Sequence, residues 1–208
     1  MARVRFLGMV LCLMAFVLPQ SLLGGEEVGP RRQLEASINL LLEVLRDQAL
    51  KGDENLVLRR QRITEVVFTQ FDLPRMAKLS LGRDWNDLHE NECRNFIELY
   101  RKLLEKSYIA TIDSYANEEV VYVKEIVDGE KAEVLTLVIG NGREIPLSYK
   151  LQLGTAGRWL VYDVIIENVS LVRNYRSQFA PIVKKKGFAG LVAQMEEKLA
   201  ANEKDSDG

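Results

Sequence analysis

Between Glu118 and Glu167 the chain offers four β-rich runs with almost nothing between them: "EEVVYVKEIV", "KAEVLTLVIG", "EIPLSYKLQL" and "RWLVYDVIIE". The connections are "DGE" around Gly129, "NGR" at Asn141 to Arg143 and "GTAG" at Gly154 to Gly157. Asp-Gly and Asn-Gly favour hairpins because their turns need positive φ. Links this short join only antiparallel neighbours. The expected sheet is a four-stranded antiparallel meander. In the third run Ile145, Leu147, Tyr149, Leu151 and Leu153 alternate with Pro146, Ser148, Lys150 and Gln152, so one face meets the core and the other meets water. In the second run the inner face is either Val134, Thr136 and Val138 or Leu135, Leu137 and Ile139.

Helical patterns flank the strands on both sides. Leu34, Ile38, Leu41, Leu42, Leu45 and Ala49 form one stripe before a break at Gly52. Ile63, Val66, Val67 and Phe71 form a second. In "FDLPRMAKLSLGRDW", Asp72 reads as an N-cap, Pro74 as a first-turn residue and Gly82 as a stop. The longest helix is expected from about Leu88 to Ser114, with Cys93, Phe96, Ile97, Tyr100, Leu103, Leu104, Tyr108 and Ile112 along one side. Two helices close the chain, from Ser170 to about Lys184 and from about Gly187 to Ala200. The fold class is α+β, a twisted antiparallel sheet with helices against one face.

The N-terminus reads as a leader. Arg3 and Arg5 precede an uncharged apolar run from Phe6 to Leu18, followed by Pro19, Ser21, Gly24 and Gly25. That layout is a secretory signal peptide over residues 1–25, and it implies export. Residues 26–200 then form one domain, and residues 201–208 a frayed tail. Without the leader only Cys93 remains, so no intrachain disulfide is possible. Removing Arg3 and Arg5 takes the formal net charge from −2 to −4, and no basic block remains for a nucleic-acid backbone. Lys184 to Lys186 read as a solvated helix end.

Chemistry-bearing residues are scarce. His89 and Cys93 stand four apart, but two ligands do not make a metal site. There is no nucleophile elbow and no phosphate-binding glycine loop. Asp163 and Glu167 fall on one face of the last strand with Trp159, and two readings stand. Asp163 is a general base on a small hydrophobic substrate, or both carboxylates face water. Neither a catalytic residue, a metal nor a cofactor is assigned.

The passage "VYDVIIENVSLVRNYRSQF" (Val161 to Phe179), together with "MAKLSLGRDW" (Met76 to Trp85), resembles the MlaC family of periplasmic phospholipid carriers, also called toluene-tolerance auxiliary proteins. The resemblance runs from about Gln33 to Leu199. Asn168 stands where glycine is common, and asparagine also tolerates a left-handed backbone. The resemblance implies an NTF2-like cone with an apolar pocket for the acyl chains of a phospholipid. It implies a periplasmic, monomeric carrier that is not an enzyme and serves outer-membrane lipid asymmetry. Its partners would be an inner-membrane ABC transporter complex with a lipid-binding ring and an outer-membrane lipoprotein–porin complex. The expected pocket lining is Phe96, Tyr100, Leu103, Leu104, Leu147, Tyr149, Leu151, Tyr162, Val164, Ile166, Val172, Tyr175 and Phe179. On the last strand the inward face is taken as Leu160, Tyr162, Val164 and Ile166, away from Asp163. Arg143, Lys150 and Arg173 are the candidates for contact with a headgroup.

Overall fold

The computed structural model describes residues 28–115, 118–140 and 142–201. The expected leader lies outside the described residues, as do residues 202–208 of the expected tail. Four helices come first: α1 (Pro30–Arg46), α2 (Leu56–Thr69), α3 (Leu73–Leu81) and α4 (Glu90–Asp113). The strands follow as β1 (Glu119–Asp128), β2 (Lys131–Gly140), β3 (Arg143–Leu153), β4 (Trp159–Ile166) and β5 (Val169–Ser170), and α5 (Leu171–Ala201) closes the chain.

Local signals set most of these boundaries. Pro30 opens α1 in the first turn, where its missing N–H costs nothing. The Asp72 carboxylate accepts from the Arg75 backbone N–H (3.1 Å) and caps α3. Gly82, at φ 73°, ends α3, and a Cβ there would come within 2.8 Å of the Arg176 guanidinium. Glycine therefore serves both the left-handed turn and the packing of Arg176 over it. Residues 53–55 form a short 3-10 turn, so Asp53 precedes α2 without being its cap. Gly187, at φ 71°, breaks α5 where the sequence separates two closing helices.

The sheet is antiparallel with order β1-β2-β3-β4-β5, one strand more than the four expected. The addition is the two-residue β5, which pairs Ser170 with Ile165 and Val169 with Ile166. Glu167 (φ 48°) and Asn168 (φ 69°) form the tight turn that makes this pairing possible. The β2–β3 register puts Val134 opposite Tyr149, Thr136 opposite Leu147 and Val138 opposite Ile145, which selects the even-numbered face of β2 as the inner one. On β4 the register slips between its pairings with Lys150 and Leu151, leaving Tyr162 as the extra residue. A bulge of this kind re-aims side chains along the strand. Val161, Val164 and Ile166 share the inner face, whereas Tyr162 packs among the helices. The expectation that Leu160 and Tyr162 share the inner face with Val164 and Ile166 fails at this bulge. Beyond β4, the chain at Gln70 to Asp72 runs alongside Val161 with two 2.8 Å backbone bonds.

Apolar side chains gather in three places. The largest core joins α3, α4 and α5 around Met76, Phe96, Tyr100, Leu103, Val172, Tyr175 and Phe179. A second lies on the sheet, with Val134, Leu151, Trp159, Val161, Val164 and Leu171 under Leu34 of α1. A third links α1, α2 and α4 through Leu45, Ile63 and Ile109.

Candidate functional site: an apolar cavity between helices and sheet

Between the second and third cores lies a cavity of about 510 Å³. α1 contributes Leu34, Ile38, Leu41, Leu42 and Leu45, and α2 contributes Val66, Val67 and Phe68, with Phe71 just beyond it. α4 adds Leu104, Tyr108, Ile109 and Ile112. The opposite wall is the inner sheet face: Val120, Val138, Ile145, Leu147, Tyr149, Val161, Val164 and Ile166, with Leu171 at the start of α5. A wider depression of about 700 Å³ runs along the last turns of α1, but α1 and its end alone line it, so it has no opposing wall.

The start of α1 is tied to the start of β4. The Gln33 side chain accepts from the Trp159 backbone N–H (3.0 Å) and donates to its carbonyl, continuing the ladder of β4 onto the helix. The same amide nitrogen donates to Gln70. At the opposite end stand the charged wall residues Glu118, Arg143 and Glu167. They mark where β1 begins, where the β2–β3 hairpin turns and where β4 ends, and Arg143 and Glu167 are exposed there. The wall therefore reaches solvent at this end. On the helix side, Asp113 closes α4 and holds Arg59 and Arg60 of α2 in ion pairs.

The few polar groups inside are hydroxyls and amides. Ser37 Oγ donates to the Gln33 carbonyl (3.0 Å). Burial pushes the Tyr108 and Tyr149 phenols up to about 12, because the anion would lose its hydration. Both are neutral at any physiological pH, so neither adds charge to the wall.

Of the expected lining, Leu104, Leu147, Tyr149, Val164 and Ile166 stand on the cavity wall. Phe96, Tyr100, Leu103, Val172, Tyr175 and Phe179 stand in the helical core, where aromatic rings fill the space; Phe96 and Phe179 meet edge-to-face at 5.8 Å. Leu151 is buried in the sheet core, and Tyr162 faces the helices with the Arg75 guanidinium 4.4 Å from its ring centre. The α1 stripe was visible in the sequence as a buried face, yet nothing there said that its partner would be a cavity. Val172 turns into the helical core, and its neighbour Leu171 reaches the wall. Arg143 lies on the wall; Lys150 and Arg173 do not line it.

Asp163 occupies neither of the two positions read for it. It is buried, at 7% exposure, and does not line the cavity. Its carboxylate accepts from Ser170 Oγ (2.7 Å) and from the Val172 N–H (3.2 Å), while Ser170 Oγ accepts from the Arg173 N–H (3.1 Å). The two side chains together cap α5 and tie it to the bulged strand. His89 precedes α4, where its backbone N–H donates to Glu92 (2.8 Å). Among the described residues no group of three His, Cys, Asp or Glu side chains is placed to hold a metal ion.

Fold and site together define an α+β protein built around an apolar cavity whose charged groups stand at one end. The MlaC protein family matches residues 35–197. The chain belongs to that family. It is 22% identical over 169 residues to the intermembrane phospholipid transport system binding protein MlaC of Haemophilus influenzae, an alignment covering 78% of each. The phospholipid-binding protein from Ralstonia solanacearum, solved in complex with a phospholipid, shares the fold with a TM-score of 0.73 at 24% identity, over 81% of this chain and 96% of that one.

Proposed function

We propose that this protein is a periplasmic phospholipid carrier, holding acyl chains in the cavity between α1, α2, α4 and the sheet. The observation that carries the reading is the two-sided apolar cavity with its charged end, in a chain of the MlaC family. The names of its Haemophilus and Ralstonia relatives point the same way, and the leader read over residues 1–25 supports export. The carrier moves lipid between an outer-membrane lipoprotein–porin complex and an inner-membrane ABC transporter complex. We read the antiparallel sheet and the helices packed on it as an NTF2-like cone. Exposing two long acyl chains to water costs on the order of 20 kcal/mol at about 0.8 kcal/mol per CH₂. A dry pocket lowers that barrier without any reacting group, so the function needs no catalytic residue. The competing assignment of Asp163 as a general base has no observation in its favour, since its oxygens are engaged at the start of α5.

The test is direct. Organic extraction of the purified protein, followed by mass spectrometry, is expected to yield phospholipid in defined proportion to protein. An extract free of phospholipid, together with no uptake from liposomes, would sink the reading.

A further inference from the structure

The charges on the described cavity wall are all at its rim. Arg143 is the cation; Glu118 and Glu167 are the carboxylates. Glu118 is buried, and its side chain lies against Gly140, the residue paired with Arg143 across the hairpin. Glu167 follows β4, fixed by its N–H bond to the Pro146 carbonyl (3.1 Å) on the strand that Arg143 opens. The next wall residues inward are Val120, Val138, Ile145 and Ile166, so a headgroup moving deeper would lose its hydration against apolar walls. A phospholipid with its chains inside therefore leaves its headgroup among these three charges.

Resting on the carrier reading above, we infer that the rim sorts phospholipids by headgroup charge, taking zwitterionic aminoalcohol phospholipids ahead of anionic ones. A phosphate diester meets the Arg143 guanidinium, whose planar donors match its oxygens. An ammonium two carbons away meets the exposed Glu167 carboxylate. A headgroup without the ammonium offers Glu167 nothing and adds a negative charge beside its carboxylate. Arg143 and Glu167 are exposed, so the preference is modest, about fivefold, the size that one solvent-exposed ion pair supports.

The experiment offers the protein vesicles of phosphatidylethanolamine and phosphatidylglycerol in equal parts and weighs the captured lipid by native mass spectrometry. The expected result is about a fivefold excess of phosphatidylethanolamine over phosphatidylglycerol, shrinking as added salt screens the rim. Glu167→Gln is expected to bring the ratio close to one, and Glu196→Gln on the outside of α5 to leave it unchanged. Equal capture of the two lipids by the unaltered protein overturns the inference and leaves the carrier reading intact. Capture of neither lipid overturns both.

Discussion

Tyr149 shows how much of the site is decided by one side chain. It alternates onto the inner face of β3, opposite Val134 on β2 and Val164 on β4, and its ring lines the cavity. Burial raises its phenol from an ordinary 10.0 to about 12. The unfolded chain releases this proton near pH 10, while the folded chain keeps it to about pH 12, so the folded state binds more protons across that window. Stability is therefore complete below pH 10 and falls as pH rises from 10 to 12. Tyr100, buried in the helical core against Ser80, shifts in the same direction for the same reason. Urea midpoints measured from pH 9 to pH 12 are expected to fall through that range, and Tyr149→Phe is expected to make the fall shallower. An unchanged slope in the variant would show that Tyr149 is not desolvated. The face of Tyr149 was legible because β3 alternates without interruption. Asp163 was not, because its environment depends on an extra residue in β4 and on a capping partner seven positions away in Ser170.

At the scale of elements, the sequence announced the α-helices of the described residues and all their strands but the shortest, because each has a period of its own. β5 escaped because two residues, Val169 and Ser170, carry no period. Partnership between elements was harder to read. The stripe on α4 from Cys93 to Ile112 is continuous, yet its first turns enter the helical core through Phe96 and Tyr100, and its last turns meet the cavity through Tyr108 and Ile112. An apolar stripe states that a face is buried and leaves open whether side chains or a ligand cover it. The same limit applies to α1. Two substitutions separate the roles: Ile38→Glu puts a carboxylate on the cavity wall, and Phe179→Ala removes a ring from the helical core. Ile38→Glu is expected to cut lipid content several-fold with secondary structure preserved, because the bound chains would have to desolvate a charge. Phe179→Ala is expected to cost about 3–5 kcal/mol of stability, with lipid content per folded molecule retained. Circular dichroism with extraction and mass spectrometry reads both, and a reversal of the two outcomes would move the ligand to the helical core.

The whole molecule divides its apolar surface between a filled helical core and a wall that stands off from its opposite side. The core of α3, α4 and α5 supplies stability through close packing. The cavity withholds it, because lining atoms without neighbours across the gap forgo dispersion contacts. Bound acyl chains would restore those contacts, so ligand and fold become linked: anything that binds the folded state alone stabilises it by mass action. A carrier built this way is expected to trade stability against capacity. Leu147, near the middle of the sheet wall and paired with Thr136 and Ile166, is the place to test that trade. Leu147→Phe adds volume to the gap. A gain of about 1 kcal/mol in the lipid-free state would raise its thermal midpoint by about 2–4 °C for a chain of this size. The same ring would occupy space that an acyl chain uses, so added phospholipid should raise the variant's midpoint less than that of the unaltered protein. Thermal scans with and without phospholipid vesicles measure both shifts. A variant that loses stability without lipid, or gains as much from lipid as the unaltered protein does, would mean that the sheet wall at Leu147 is not where the chains lie.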